Sequence, residues 1–115
     1  MSVGKAANRT PSVTAEDAEQ VLAALADPTR RQLLELLGGS PGRSASALAG
    51  VVPVSRQAVA QHLALLEECS LVQRRRAGRE VLFSVRPDRL AGVASWLDDR
   101  ADAWRDRLET AEQTS

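Results

Sequence analysis

Residues 53–71 constrain the fold of this 115-residue chain more than any other stretch. Ser55 is a residue type that accepts a hydrogen bond from the free backbone N–H groups at a helix start, and no helix breaker follows between Arg56 and Cys69. Apolar side chains recur at intervals of four and three, at Val59, Leu63 and Leu66. This spacing predicts a helix with a capped N-terminus and one buried face.

The other face of this predicted helix has an unusual composition. It carries Arg56, Gln57, Ala60, Gln61 and Ala64, whereas a solvated helix face commonly mixes Lys with Glu. Forked and amide side chains separated by small ones suit the major groove of DNA, where Arg pairs with guanine and Gln with adenine. A surface helix that merely lacks acidic residues is the alternative, and this helix alone does not decide between the two.

The flanking segments favour the first interpretation. After a loop at residues 39–43, residues 44–49 predict a short helix that residues 50–53 close, which gives a helix-turn-helix. Two strand-like runs, residues 71–76 and 80–86, surround a glycine and predict a hairpin. Four arginines crowd its expected tip: Arg74, Arg75, Arg76 and Arg79. The sequence therefore predicts a mainly α fold with a small β-hairpin, a winged helix-turn-helix whose second helix enters the groove while the wing follows the phosphates.

The charge distribution agrees with this prediction, although the formal net charge is zero. Residues 55–86 hold six Arg and three Glu, whereas residues 87–115 hold four Arg and seven acidic residues. The basic excess therefore lies in the predicted helix and wing. Aromatic residues make up only 3% of the chain, so stacking platforms for single-stranded nucleic acid are lacking and a duplex is the expected target.

Length and composition also limit size and location. The chain predicts one domain with a modest core, which a partner subunit would extend. No apolar run approaches the length of a membrane span and the N-terminus lacks the apolar core of a signal peptide, so we expect a cytoplasmic protein without membrane contact. The single cysteine, Cys69, excludes an internal disulfide and a multi-cysteine metal cage.

The N-terminal part predicts a flexible tail and a capped helix. Residues 1–13 show no periodicity and are expected to form the tail ahead of a domain at residues 14–112. Thr14 and Asp17 have the spacing of a capping box, which predicts a helix over residues 15–26.

A second helix is expected directly afterwards. Asp27 can cap it, Pro28 fits its first turn and Gly38 can supply a left-handed stop. The leucines within it predict packing on two sides, as core scaffold. Arg30 and Arg31 near its start are expected on a solvated face, with phosphate contact as the alternative.

The last segment predicts a long helix and a dimer. Pro87 bars further strand pairing, and Asp88 can cap a helix. A heptad-like apolar seam then runs over about six turns, more than so small a core can cover. We expect a twofold dimer through this helix, about residues 88–112, and the first helix, with a helix folded back on its own core as the alternative. The predicted dimerisation residues are Val21, Leu22, Leu25, Leu90, Val93, Leu97, Ala101, Trp104 and Leu108.

Four stretches in consistent order resemble the ArsR family of bacterial repressors. They are A-L-A-D-P-T-R-R-Q-L-L-E-L-L at residues 24–37, S-A-L-A at 46–49, P-V-S-R-Q-A-V-A-Q-H-L-A-L-L-E at 53–67 and L-V-Q-R-R-R-A-G-R-E-V-L-F-S-V at 71–85. The resemblance spans roughly residues 15–112. It implies a winged-helix homodimer that binds an operator of inverted-repeat type and blocks transcription until a signal releases it. It also implies that the first and last helices form the dimer.

Many members of that family bind metal ions at one of two sites, and this chain lacks ligands that each of these sites requires. The thiolate site uses a Cys-x-Cys motif, and the matching residues 46–50 contain no cysteine. The second site uses His and carboxylates on the last helix, which here offers no His but five carboxylates: Asp98, Asp99, Asp102, Asp106 and Glu109. Of these, Asp102, Asp106 and Glu109 could face one another. Carboxylates alone hold transition metals poorly. The resemblance therefore implies a metal-independent member without a cofactor.

Three single residues near the main helix complete the expectations. His62 falls where the family carries a His, and it is expected to contact DNA or to cap a core polar group. Cys69 is expected to be a small buried residue, with a redox switch as the alternative because oxidation would tilt the helix. Ser70 stands where relatives often have Gly, and it is expected to adopt a left-handed conformation.

The leading hypothesis is a homodimeric repressor of transcription that binds double-stranded DNA and can include its own gene among its targets. Arg56, Gln57 and Gln61 would contact base edges, Ser55 and His62 would touch backbone or base, and the four wing arginines would hold flanking phosphate or minor groove. The alternatives are a protein-interaction module on the same scaffold and a redox regulator based on Cys69. An enzyme is not expected, because one His, one Cys and no Tyr offer little for a nucleophile and its base.

Overall fold

The computed structural model describes residues 12–114 and confirms the mainly α winged helix-turn-helix. Within that range the elements are α1 (Ala15–Leu25), α2 (Pro28–Gly38), α3 (Ala45–Ala49), α4 (Arg56–Glu68), β1 (Val72–Ala77), β2 (Glu80–Val85) and α5 (Pro87–Thr114). Residues 1–11, most of the predicted tail, lie outside the described residues. Val13, also assigned to that tail, is half-buried and packs on the core.

The predicted N-caps of the first, second and fourth helices are confirmed. Thr14 Oγ1 accepts a hydrogen bond from the Asp17 N–H at 3.0 Å, and the Asp17 carboxylate accepts one from the Thr14 N–H at 3.3 Å. Ser55 Oγ accepts from the Ala58 N–H at 3.1 Å, and Asp27 caps α2 in the same way. Each cap satisfies a backbone donor that the first helical turn leaves free, so the helix starts follow from local sequence.

The predicted left-handed conformation of Ser70 is confirmed at the end of α4, with a φ of 61°. The Ser70 N–H donates to the Glu67 carbonyl at 3.0 Å, and the Leu71 N–H donates to the Leu66 carbonyl at 2.9 Å. This pair of bonds satisfies the last carbonyls of the helix. A left-handed residue other than glycine costs about 1–2 kcal/mol. The complete burial of Leu66 and Leu71 across the turn offsets that cost.

Two predictions about helix ends are wrong. Gly38 is the last helical residue rather than a left-handed stop, and Gly39 after it has a φ of −97°. The Ser40 N–H closes the turn on the Leu37 carbonyl at 3.1 Å, a bond that needs no positive φ. Asp88 does not cap α5, because that helix already begins at Pro87, whose fixed φ suits the first helical turn.

The hairpin has the predicted antiparallel form, with strand limits shifted by one residue. Val72 pairs with Val85 at its base and Ala77 with Glu80 at its tip, which leaves a two-residue turn. Gly78 opens this turn with a φ of 66°, a conformation that glycine adopts without strain.

The loop prediction for residues 39–43 is wrong at its last residue. The Arg43 N–H donates to the Phe83 carbonyl at 3.0 Å, and the Phe83 N–H donates to the Arg43 carbonyl at 2.8 Å. Arg43 therefore forms a single antiparallel bridge at the outer edge of β2. This bridge ties the segment before α3 to the wing.

Helix α5 packs on the core only through its N-terminal part. Leu90, Val93 and Trp96 lie against the core, and Arg89 forms an ion pair with Asp17 of α1 at 2.9 Å. The helix has 28 residues, and it is therefore about 42 Å long. Its C-terminal part projects beyond the core and accounts for the longest dimension of the molecule, 63 Å. Among the described residues, no helix combines the length and the apolar character that crossing a membrane would require.

Candidate DNA-binding surface

The exposed face of α4 matches the prediction from the sequence. Its members Arg56, Gln57, Ala60, Gln61 and Ala64 are all solvent-exposed, and we call them the recognition face. The opposite side of the helix is anchored by three completely buried residues: Val59, Leu63 and Leu66. Ser55, at the N-terminus of the helix, is exposed as well. The apolar stripe therefore holds α4 in place and presents the recognition face to solvent.

Arg56 has a partner that the sequence did not indicate. Its Nε donates to Ser46 Oγ in α3 at 2.7 Å. The bond directs the guanidinium from the start of α4 towards α3 and leaves its terminal nitrogens available for an acceptor outside the protein. Ser46 precedes Arg56 by ten residues, and no sequence periodicity relates positions in two separate helices.

The wing and the recognition face border a common cleft. Arg56 and Ala60 of α4 and Ser46 of α3 line one side, and Arg74, Arg79 and Phe83 of the hairpin line the other. Arg79 stands in the turn beside Gly78, and Arg75 and Arg76 are exposed on β1. Arg74 and Arg79 therefore border the recognition face on the wing side, and Glu80 belongs to the same lining.

The prediction that four arginines crowd the tip is wrong for Arg74. The register places it opposite Phe83, and its guanidinium lies 5.2 Å from the centroid of that ring. The Arg74 Nη2 donates to Glu67 Oε1 at 2.8 Å, and its Nε lies 3.0 Å from Oε2. This two-pronged ion pair ties the wing to the end of α4 and uses much of the capacity of Arg74 to bind phosphate.

His62 is half-buried and does not belong to the recognition face. Its Nδ1 lies 3.4 Å from Nη1 of Arg30 in α2. A guanidinium has no acceptor, so this contact is a hydrogen bond only when Nδ1 is unprotonated. Of the two expectations for His62, the structure favours contact with a protein polar group over contact with a base.

The expectation of a solvated face holds for Arg31, which is exposed, and is wrong for Arg30, whose side chain is only 16% exposed. The Arg30 Nε donates to the Ala24 carbonyl at 2.8 Å, and the Arg31 Nη1 donates to the Leu25 carbonyl at 2.8 Å. Helix α1 has no basic residue in its own last turn. The two arginines supply the cations that the negative end of α1 favours.

Cys69 is half-buried at the end of α4, with its Sγ 3.8 Å from the Gln20 carbonyl of α1. Burial raises the pKa of its thiol, and the nearby Glu68 carboxylate adds to that shift. A raised pKa keeps the thiol protonated and lowers its reactivity.

Residues 12–114 contain no group of three or more His, Cys, Asp or Glu side chains placed to share a metal ion. The three carboxylates singled out on α5 belong to an exposed helix surface. One of them, Asp102, forms an ion pair with Arg105 of the same helix at 2.7 Å.

The predicted dimerisation residues separate into three groups by their exposure within one protomer. Val21 and Val93 are only 1% and 3% exposed within one protomer, so their assignment to the interface is wrong because they already belong to the core. Leu97, Trp104 and Leu108 are 44%, 58% and 66% exposed on α5, and Leu22 is exposed on α1. Leu25, Leu90 and Ala101 are half-buried. The exposed members leave an apolar strip along α5 that the described residues do not cover.

The cap of α2 makes stability depend on pH. The Asp27 carboxylate accepts hydrogen bonds from the N–H groups of Arg30, at 3.1 Å, and Thr29, at 2.8 Å. The Arg30 bond contributes most to holding the pKa of Asp27 below its ordinary value of 3.8, and the Thr14 bond does the same for the pKa of Asp17. A pKa lowered by folding means that the stabilisation is present above pH 3.8 and is lost as the pH falls through the folded-state value.

We therefore expect the protein to lose stability progressively below about pH 5. Asp27→Asn should reduce this loss without removing the cap, because Asn caps helices as well as Asp and does not titrate. Urea unfolding at several pH values between 3 and 7 measures the effect. An unchanged pH dependence in Asp27→Asn would show that Asp27 does not contribute. Asp17 should account for part of the dependence that remains.

Comparison with known proteins shows which family the chain resembles. A family described as a helix-turn-helix domain matches residues 25–75. The chain is 32% identical over 84 residues to the HTH-type transcriptional regulator YgaV of Escherichia coli (strain K12), across 73% of this chain and 85% of the relative. It is 29% identical over 77 residues to the transcriptional repressor SdpR of Bacillus subtilis (strain 168), across 67% of this chain and 84% of the relative. These relatives are transcriptional regulators rather than enzymes.

Solved structures agree with the sequence relatives. The ArsR-like transcriptional regulator from Rhodococcus sp. RHA1 superposes with a TM-score of 0.80 and 38% identity, across 87% of this chain and 93% of that chain. The homodimeric winged helix-turn-helix DNA-binding domain of Mb0332 from Mycobacterium bovis superposes with a TM-score of 0.62 and 26% identity, across 89% and 88% of the two chains. Together with the recognition face and the basic wing, these similarities show that the chain belongs to the ArsR-like family of winged helix-turn-helix transcriptional regulators.

Proposed function

We propose that the protein is a homodimeric repressor that binds an inverted repeat in double-stranded DNA and uses no metal ion. The observation that carries this proposal is the cleft shared by α4 and the wing. Arg56 and Ala60 line it from an α4 face without an acidic residue, and Arg79 lines it from the hairpin tip. A helix of this composition beside a cationic wing suits a major groove and its flanking phosphates.

Base recognition is assigned to Arg56, Gln57 and Gln61. Ser55, at the start of α4, is assigned a position close to the DNA backbone. Their exposed side chains reach outward from a rigid helix, and Ala60 and Ala64 allow close approach. Phosphate contacts are assigned to Arg75, Arg76 and Arg79. Arg74 and His62 are assigned supporting roles, because Glu67 and Arg30 already hold them.

The dimer is proposed to form through the exposed strip of α5 together with Leu22 of α1. Three large apolar side chains on a projecting helix favour burial against a second copy. The Mb0332 domain is homodimeric, which supports a homodimer here. A twofold dimer would place two α4 helices about 34 Å apart, one turn of DNA, which explains why an inverted repeat is the expected operator.

Repression of transcription is proposed to follow from occupation of the operator by the dimer. A dimer seated across an inverted repeat excludes other proteins from that DNA, and SdpR, a transcriptional repressor, supports this mode of action. Such a regulator works where the chromosome lies, so we propose that it acts in the cytoplasm. Its own promoter region is the first target to test.

The test is a mobility shift of the purified protein on the DNA upstream of its own coding sequence, in a series of salt concentrations. We expect a discrete complex at nanomolar protein that survives random competitor duplex and weakens steeply with salt. Equal, weak binding to this DNA and to random DNA would contradict an autoregulatory repressor. A genome-wide selection for bound fragments would then separate a distant operator from a protein-interaction module on the same scaffold.

Arg79→Ala should weaken binding to all DNA sequences by a similar factor, because a phosphate contact at the wing tip carries no sequence information. The slope of log affinity against log salt should fall by about 0.9, the value for one lost phosphate contact. Arg107→Ala on α5 removes the same charge from an exposed position remote from the cleft, and it should leave the slope unchanged. A loss confined to the operator would instead assign a base contact to Arg79.

The redox alternative has little support in the structure. Burial and Glu68 raise the pKa of Cys69, whereas a sensing thiol needs a lowered pKa. The sequence holds no second cysteine with which an oxidised Cys69 could form a disulfide within the chain.

A further inference from the structure

We propose that Arg30 is a positioning residue that fixes the recognition helix α4 against the dimerisation helix α1 and so sets the spacing of the two recognition helices in the dimer. This inference rests on the proposed function and adds a residue that does not touch DNA. Arg30 lies in α2, behind the recognition face, and its side chain is only 16% exposed.

One guanidinium connects three helices. Towards α1, Arg30 Nε donates to the Ala24 carbonyl at 2.8 Å and Nη2 to the Ala23 carbonyl at 3.5 Å. Towards α4, Nη1 lies 3.4 Å from His62 Nδ1. The same Nη1 lies 3.9 Å from Oδ2 of Asp27, the residue that caps α2. Arg30 therefore contacts the end of α1, the start of α2 and the middle of α4 at once.

The chemistry of arginine suits this role. A guanidinium presents five donors in a rigid plane and remains charged throughout the physiological range, whereas a lysine ammonium is a single flexible point. The carbonyls at the end of α1 carry partial negative charge and favour a cation. Nε and Nη2 of the guanidinium face the α1 carbonyls, whereas Nη1 faces His62 of α4. A change in the angle between α1 and α4 would therefore break at least one of these contacts.

The distance between two recognition helices depends on how α4 is held relative to the helices that form the dimer. Helix α4 packs chiefly on α2, α3 and β1, and α1 packs on α5 and on α2. Among the described residues, a further polar contact links α1 to the end of α4: Sγ of Cys69, the C-cap of α4, lies 3.8 Å from the Gln20 carbonyl, seven residues or about two helical turns from His62. Loss of Arg30 would thus remove a polar contact that orients the middle of α4, while the buried Val59, Leu63 and Leu66 keep the helix on the core.

The structure supplies a matched control. Arg31 also donates to a carbonyl at the end of α1, at 2.8 Å, and within residues 12–114 no hydrogen bond or ion pair joins its side chain to α4. Arg30→Ala and Arg31→Ala each remove one charge and a hydrogen bond to the end of α1, and Arg30→Ala also removes the contacts with His62, Ala23 and Asp27. His62→Leu breaks the same connection from the other side, and His62→Asn keeps an acceptor near the position of Nδ1.

Binding of each variant is measured by fluorescence anisotropy on a duplex with the full inverted repeat and on a duplex with one half-site. Arg30→Ala and His62→Leu should weaken binding to the full repeat by about tenfold, the value of one hydrogen bond to a charged group. Binding to the half-site should change little, because one recognition helix needs no fixed spacing. Arg31→Ala and His62→Asn should resemble the wild type. The variant with both Arg30→Ala and His62→Leu should be no weaker than Arg30→Ala alone.

Amide hydrogen exchange on the free protein provides a readout without DNA. Arg30→Ala should speed exchange in the middle of α4 more than Arg31→Ala does, at equal thermal stability. Equal losses on the full repeat and the half-site, or unchanged exchange in α4, would overturn the positioning role. A wild-type protein that does not prefer the repeat to random duplex would overturn the proposed function instead, and the exchange data would still decide whether Arg30 holds α4.

Discussion

Replacing Trp104 and Leu108 with Glu should convert the dimer into a monomer and lower affinity for the inverted repeat by at least about a hundredfold, the usual gain from two linked binding sites. The two side chains are 58% and 66% exposed in the protomer and are proposed to be buried by the second copy. A carboxylate in that apolar contact would have to lose its hydration without a partner. The protomer itself should stay folded, because both residues lie on the part of α5 that projects beyond the core.

Sedimentation velocity measures the mass of this variant, and anisotropy measures its affinity for the full repeat. The control is Ser95→Glu with Gln113→Glu, which adds the same charge at exposed positions of α5 about half a helical turn away from the strip. The control should remain a dimer and bind normally. If the Trp104 and Leu108 variant were still a dimer, a surface other than this strip would form the interface. If it were a monomer with full affinity, the two-site model of the operator would be wrong.

Replacing both Gln57 and Gln61 with Ala should reduce the preference for operator over random duplex. Each bidentate contact between an amide and adenine discriminates by about 1–3 kcal/mol, so the ratio of the two affinities should fall by at least about thirtyfold. Affinity for random DNA should change little, because an amide carries no charge and neutralises no phosphate. The fold should tolerate the change, since both residues are exposed on α4 and alanine favours helix.

Competition between operator and random duplex measures this ratio directly, and Gln32→Ala at an exposed position of α2 is the matched control. An unchanged ratio in the double variant would assign recognition to other groups, with Arg56 and the shape of the DNA as the next candidates. An equal loss on operator and random DNA would show that the substitutions disturb α4 rather than remove base contacts.

The elements and their starts could be predicted from the sequence because their causes are local. Thr14, Asp27 and Ser55 bond to backbone groups two or three residues away. The buried stripe of α4, formed by Val59, Leu63 and Leu66, repeats with the period of a helix. The exposed side of α4 followed from the same period. The local pattern did not predict how α2 ends, because the turn after Gly38 closes with a bond that needs no left-handed residue. It also did not predict the bridge at Arg43, because the partner of Arg43 lies in a strand that is distant along the chain.

The sequence by itself determined the fold class, the buried and exposed sides of α4 and the family resemblance, because short-range hydrogen bonds and periodicity specify them. Only the tertiary structure decided what several polar residues bind. Arg30 and His62 are 32 residues apart and meet across two helices, and Arg74 meets Glu67 because the hairpin folds back beside α4. The position of Val21 in the core rather than in the interface likewise depends on which face of α1 packs inward. These contacts join elements that are distant along the chain, and no periodicity in the chain relates the positions of their side chains.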